Sequence, residues 1–193
     1  MPPKAKFSRE EIIKAALAIV ESKGEEGLTA RSLGDELGSS ARPIFSVFKS
    51  MEDVQIGVIT AAKKLYKEYV DEGLSQPLAF KGVGEAYIRF AGEHPKLFRL
   101  LFMSEQKSNP SADSVLPVID ESYEAILKSI TDGYGLSREK ANALYVHLWT
   151  YSHGIAVLKA TKVCTFSSEE ISAMLTEVCK GLLISYKTEK KND

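Results

Sequence analysis

Cysteine occurs only twice in the 193 residues, at Cys164 and Cys179, and neither has a histidine or second cysteine at zinc-site spacing. A disulfide framework and a structural zinc site are therefore excluded, and both residues read as buried thiols. Long apolar runs are also missing. No window approaches the roughly 18 uncharged apolar residues of a membrane span, and the charged start MPPKAKFSRE has no apolar signal segment. The expectation is a cytoplasmic chain with no membrane contact. Low-complexity tracts, period-two strand patterns and internal repeats are absent. So are a nucleophile–base pair, a metal triad and a phosphate-binding loop, which argues against an enzyme. Histidine is scarce, at His94, His147 and His153. His147 and His153 point about 240° apart around a helix and cannot chelate one ion from one face, so no cofactor is expected.

What is present is helical periodicity. With 44% hydrophobic and 26% charged residues, the composition suits a folded chain with a buried core. Ser8-Arg-Glu-Glu11 is a capping box. It opens a helix from Arg9 to Ser22 whose apolar set is Ile13, Ala16, Leu17 and Val20, with a stop at Gly24. Thr29 caps a second helix to Leu37, ended by Gly38. Ser40 caps a third, of two turns, to Val47. Ser50-Met-Glu-Asp53 opens a long fourth helix from Met51 to about Asp71. Further helices are expected from beyond Pro77 to Gly92, from Pro95 through Phe102, from Ser114 to Asp132, from Ser137 to Lys162, and from the capping box Ser167-Ser-Glu-Glu170 to Lys187, with a polar loop SEQKSNPSAD before Ser114. The fold is all-α, with about nine helices.

The net charge of −1 hides a gradient, with eight basic against seven acidic residues in the first fifty. Two short helices joined by a three- or four-residue turn and preceded by a longer one form a tri-helical helix-turn-helix arrangement. Leu17, Val20, Leu28, Leu33, Leu37, Ile44 and Phe48 supply its core. Pro43 is tolerated only in a helix's first turn, which fixes the start of the third helix and leaves Arg42 exposed there. A helix of about eight residues matches a major groove about 12 Å wide, and Arg42 is offered to guanine.

The run GSSARPIFSVFKSMEDV, with Phe45, Phe48 and Lys49-Ser50-Met51-Glu52-Asp53, resembles the signature of the tetracycline-repressor (TetR) family, the likeness covering Phe7 to about Val54. Two departures are Phe45, where tyrosine is usual, and Pro43, where threonine is frequent. The resemblance implies that Thr29, Arg31 and Lys49 hold phosphates. With Ser40, Ala41, Arg42, Pro43, Phe45 and Ser46 they form the expected DNA-binding set, and Lys4, Lys6 and Arg9 add charge to it. The domain division expected is 1–50 for DNA binding and 51–193 for ligand binding and dimerisation.

In the second part, AYIRFAGEHPKLFRLLF and LWTYSHGIAVL resemble the TetR subgroup with a Trp-x-x-x-His-Gly motif, here Trp149, His153 and Gly154. Tyr145, Trp149 and His153 share one helical stripe. With Tyr87, Phe90, Phe98, Phe102 and Tyr123 it could wall a ligand pocket. The stripe reads equally as core, with His153 hydrogen-bonded to a carbonyl or a tyrosine. Leu158, Ile171, Met174, Leu175, Val178 and Leu182 stand on the last two helices, which the resemblance pairs with a second subunit. The implied function is a homodimeric transcriptional repressor on a two-fold symmetric double-stranded DNA operator, released by an unknown small-molecule effector. The alternative is a constitutive DNA-binding protein without a ligand.

Overall fold

The computed structural model describes residues 6–104, 111 and 114–189. Lys4 and most of the expected polar loop lie outside them. Among the described residues there are nine α-helices, two 3-10 turns and no strand: α1 (Arg9–Lys23), α2 (Ala30–Glu36), α3 (Met51–Leu74), α4 (Ala79–Glu93), α5 (Pro95–Phe102), α6 (Val115–Ile119), α7 (Tyr123–Tyr134), α8 (Arg138–Ala160) and α9 (Ser168–Glu189), with 3-10 turns at Glu25–Gly27 and Ile44–Ser46. No described helix is long and apolar enough to cross a membrane.

The chain divides into two compact units, one of residues 1–65 and 94–104 and the other of residues 66–93 and 105–193. The helix α3 is continuous and contributes to both.

In the first unit, the Ser8–Glu11 box is reciprocal, with Glu11 N–H donating to Ser8 Oγ at 3.2 Å and Ser8 N–H to the Glu11 carboxylate at 2.7 Å. This pairing also lowers the Glu11 carboxyl from its usual value, chiefly through the Ser8 backbone donor. The buried stripe of α1 is Ile12, Ala16, Ile19 and Val20, one position away from the expected Ile13 and Leu17, which are half-buried. It meets Leu28, Leu33, Ile44 and Phe48, all buried, whereas the expected core residue Leu37 is only half-buried. Each such side chain contributes roughly 1.5–3 kcal/mol, which lets two very short elements persist. The helix α5 belongs here too: Lys96 Nζ donates to the Ser22 carbonyl, and His94 Nδ1 meets the Glu21 carboxylate.

In the second unit α4 packs chiefly against α8, with α7 and α9 on its flanks. The helix expected from Ser114 to Asp132 is broken. Residues 120–122 separate α6 from α7, because the Asp120 carboxylate turns inward. It accepts from Ser122 N–H (2.8 Å), Tyr145 Oη (3.1 Å) and Tyr66 Oη (3.3 Å) and is 6% exposed. Gly135, with φ +63°, ends α7 in the left-handed conformation that glycine adopts without steric cost.

Candidate functional site

The helix-turn-helix is built from reciprocal caps around a small core. Thr29 Oγ1 accepts from Ser32 N–H at 3.1 Å, and Ser32 Oγ accepts from Thr29 N–H at 2.9 Å. The turn after α2 needs two glycines. Gly38 has φ +60°, and a Cβ at Gly34 would lie 3.0 Å from the backbone of residues 39–41, which crosses over it.

The third element differs from the two-turn helix expected from Ser40 to Val47. Only Ile44–Ser46 is helical, as a 3-10 turn, flanked by turns in which Ile44 N–H donates to the Ala41 carbonyl (3.1 Å) and Phe48 N–H to the Ile44 carbonyl (2.9 Å). Ser40 makes no side-chain cap bond, and Pro43, at φ −61° and ψ −26°, has no N–H to propagate an α-helix. Two anchors four residues apart, Ile44 and Phe48, need only this one turn to reach the core. Opposite them, Arg42, Phe45 (46% exposed) and Ser46 project to solvent, with Ser40 exposed and Ala41 and Pro43 half-buried. Ser46 Oγ is turned back to the Pro43 carbonyl at 2.6 Å.

Lys49 is held by its backbone. Its N–H donates to Asp53 Oδ2 (3.0 Å), and Asp53 N–H donates to Ser50 Oγ (3.3 Å), leaving the Lys49 side chain exposed at the start of α3. Thr29 and Arg31 are exposed at the start of α2. Lys6 Nζ donates to Ser39 Oγ at 3.0 Å, and the Arg9 guanidinium stacks 4.3 Å from the Phe48 ring centre.

The second unit contains an apolar cavity of about 210 Å³. Its buried wall includes Tyr66, Phe80, Val83, Tyr87, Tyr145, Leu148, Ser152 and Leu175. Trp149, Tyr134, Cys179, Gly84 and Thr176 are half-buried members, and Leu78, Lys81, Lys180 and Leu183 complete it. Of the expected pocket residues, Tyr87, Tyr145 and Trp149 therefore line it. The others are elsewhere. Phe90 is fully buried, in edge contact with Tyr66 (5.4 Å) and Tyr69 (5.3 Å). Phe98 and Phe102 are on α5, in the first unit, 5.4 Å from each other. Tyr123 stacks on Tyr145 at 6.0 Å and donates to Asn142 Oδ1 at 2.9 Å.

His153 supports the wall without lining it. The Tyr87 hydroxyl and His153 Nδ1 share a hydrogen bond at 2.8 Å, and the Trp149 ring lies 5.3 Å from the His153 ring on the same helix. Burial lowers the His153 value, which favours the neutral ring. Burial likewise raises the Tyr87 hydroxyl. Gly154 is exposed, with open space where a Cβ would be.

Asp120 joins two members of the wall. Burial raises its carboxyl above the usual range, against the pull of Ser122 N–H and the two tyrosine hydroxyls. Tyr66 and Tyr145 are pushed well up, first by burial and then by the adjacent Asp120 charge. Sequence reasoning missed Asp120, Ser152 and Leu148. Their signal is tertiary: Tyr66 and Asp120 are 54 residues apart. The expectation of two buried thiols is also corrected, because Cys164 is exposed on the turn after α8, while Cys179 is half-buried with its thiol toward Tyr134 Oη at 3.8 Å.

On α9, Ile171 and Leu175 are 6% and 5% exposed, buried within the chain itself, and Leu175 lines the cavity. Met174, Val178 and Leu182 occupy the adjacent, half-buried stripe, and Leu158 on α8 is 38% exposed.

The tetracyclin repressor-like C-terminal domain family matches residues 80–182. The chain is 28% identical over 169 residues to an uncharacterised HTH-type transcriptional regulator of Mycobacterium tuberculosis, covering 82% of this chain and 73% of that protein. Among solved structures, it superposes on a Rhodococcus sp. RHA1 protein of unknown function with TM-score 0.70 at 19% identity, covering 96% of this chain and 98% of that one. The fatty acid degradation regulator FadR of Bacillus halodurans shares the fold with TM-score 0.56 at 16% identity, over 92% of this chain and 96% of that one. With this family match over more than half its length, the chain belongs to the tetracycline-repressor (TetR) family of transcriptional regulators.

Proposed function

We propose that the protein is a homodimeric repressor whose hold on a two-fold symmetric DNA operator is released by a small molecule. The observation that carries the DNA-binding part is the split face of the third element. Ile44 and Phe48 are buried, while Arg42, Phe45 and Ser46 project outward beside exposed Thr29, Arg31 and Lys49. A guanidinium on such a turn can read guanine O6 and N7 in the major groove, and the flanking lysine and threonine serve phosphates. Phe45 has no hydroxyl to offer a phosphate and contributes an apolar contact to sugar or a thymine methyl.

Dimerisation would use the outer stripe of α9, Met174, Val178 and Leu182, with Leu158 and the 64% exposed Ile184. A helix that buries one stripe in its own domain and leaves a second apolar stripe beside it is suited to pairing with its copy. Ligand response would run through α3, which starts directly after Ser50 and whose Tyr66 lines the cavity. A ligand that favours one α3 position shifts the population toward dimers whose recognition turns no longer match successive major grooves. The test is DNA affinity of the full chain against salt, alone and with a compound library scored by Trp149 emission. A compound that binds and weakens DNA binding supports the reading. DNA affinity indifferent to every compound that binds would favour a constitutive DNA-binding protein.

A further inference from the structure

We propose that the cavity takes an amphiphile with an anionic end and an apolar body. The inference rests on the ligand-responsive reading above and names the class of effector.

The wall is largely apolar toward the cavity because most of its hydroxyls already serve neighbouring groups. The Tyr66 and Tyr145 hydroxyls donate to Asp120, the Tyr87 hydroxyl is bonded to His153 Nδ1, and Thr176 Oγ1 donates to the Ser172 carbonyl at 2.7 Å. A ligand group that drew any of them away would leave a buried partner unsatisfied, so the body that enters must be apolar.

Among the described residues, the charged members of the wall are both basic, Lys81 and Lys180. Its exposed members, Leu78 (62%) and Lys180, mark the mouth, with Lys81 and Leu183 half-buried beside them. Lys81 makes a 3.7 Å pair with Glu85, and among the described residues no aspartate or glutamate lines the cavity. The Asp120 carboxylate is not part of the lining and is held behind Tyr66 and Tyr145, whose hydroxyls donate to it. An anion is therefore favoured at the mouth by two lysines, while a cation there meets like charge. This fits a carboxylate or a phosphate on an alkyl chain.

The probes are decanoate, decyl phosphate, decanol and decyltrimethylammonium, each below its micelle concentration, titrated into the full-length protein. Calorimetry and Trp149 emission report binding. Ion pairs at an open mouth are weak, so both anions should bind roughly threefold to tenfold tighter than decanol at low salt, and added salt should narrow the gap. The difference between decanoate and decyl phosphate identifies which head the lysines prefer. In the Lys81→Glu/Lys180→Glu variant, which changes exposed or half-exposed side chains, the order should reverse in favour of decyltrimethylammonium. Equal binding of decanol and decanoate, tightest binding of the cation by the unaltered protein, or no response to any probe would overturn the proposal. DNA affinity is measured separately on the same samples. If decanoate binds as expected while DNA affinity stays constant, the ligand class stands and the ligand-responsive reading fails.

Discussion

The Tyr87 hydroxyl and His153 Nδ1 share a hydrogen bond at 2.8 Å, so the histidine of the Trp-x-x-x-His pair on α8 fixes a tyrosine of α4. Of the two readings of His153 open from the sequence, this geometry gives the residue a structural bond to a tyrosine behind a wall that Tyr87 and Trp149 themselves form.

His153→Ala removes a hydrogen-bond partner of the buried Tyr87 hydroxyl and should cost about 1–3 kcal/mol in urea unfolding. His153→Gln, whose carbonyl oxygen can accept, should recover much of it. The pH dependence has a definite sign. Because burial lowers the folded value below 6.5, the unfolded chain takes up a proton that the folded chain resists. The His153 contribution is complete above about pH 6.5 and shrinks as pH falls toward the lowered folded value. Stability of the native chain relative to His153→Gln should therefore decline below pH 6.5. A parallel pair of curves would refute the assignment.

Asp120 behaves oppositely. Its folded value is raised above 3.8, so its contribution is complete below that pH and lost as pH rises through the folded value. Asp120→Asn keeps an acceptor for Ser122 and removes the buried charge, and its stability should gain on the native chain as pH rises from 4 toward neutrality. Asp120→Ala removes the carboxylate to which Tyr66 and Tyr145 donate and should cost roughly 2–5 kcal/mol. Thermal melts across this pH range check both.

The two stripes of α9 separate folding from association. Val178→Glu puts a charge on the outer stripe, where a symmetric interface would bury it twice, and light scattering should report a folded monomer. Leu175→Glu puts the charge beside the cavity and against α4, so the melting temperature should fall whatever the oligomeric state. A Val178→Glu dimer of unchanged stability would show that α9 does not carry the interface.

The sequence disclosed what local chemistry decides. The reciprocal caps at Ser8–Glu11 and Ser167–Glu170 and the proline-led start of α5 are within a few residues of the bonds that make them. It did not disclose what distant residues decide. The break at Asp120 depends on Tyr66 and Tyr145, 54 and 25 positions away, and reads locally as continued helix. The choice of Ile12 and Ile19 over Ile13 and Leu17 as the buried face of α1 is hidden because all four are apolar and periodicity tolerates either phase. The contraction of the third element to a 3-10 turn follows from Pro43 and two anchors four apart, yet a helical count of the same residues looks equally regular. For the same reason Leu175 shared a pattern with Met174 and Val178, although one stripe serves the cavity and the other solvent.

The central claim is that Arg42 reads a base from a turn anchored by Ile44 and Phe48. The direct measurement is selection of bound duplexes from a randomised library, followed by anisotropy titrations of the selected and scrambled duplexes with native, Arg42→Ala and Lys49→Ala proteins at several salt concentrations. The account predicts an inverted repeat with half-site centres about 34 Å, one helical turn, or a multiple of it apart. Arg42→Ala should lose about 1–3 kcal/mol on that sequence and relax one base pair per half-site, whereas Lys49→Ala should weaken all sequences alike and flatten the salt dependence. Failure to enrich any sequence, or an Arg42→Ala loss equal on selected and scrambled DNA, would contradict it.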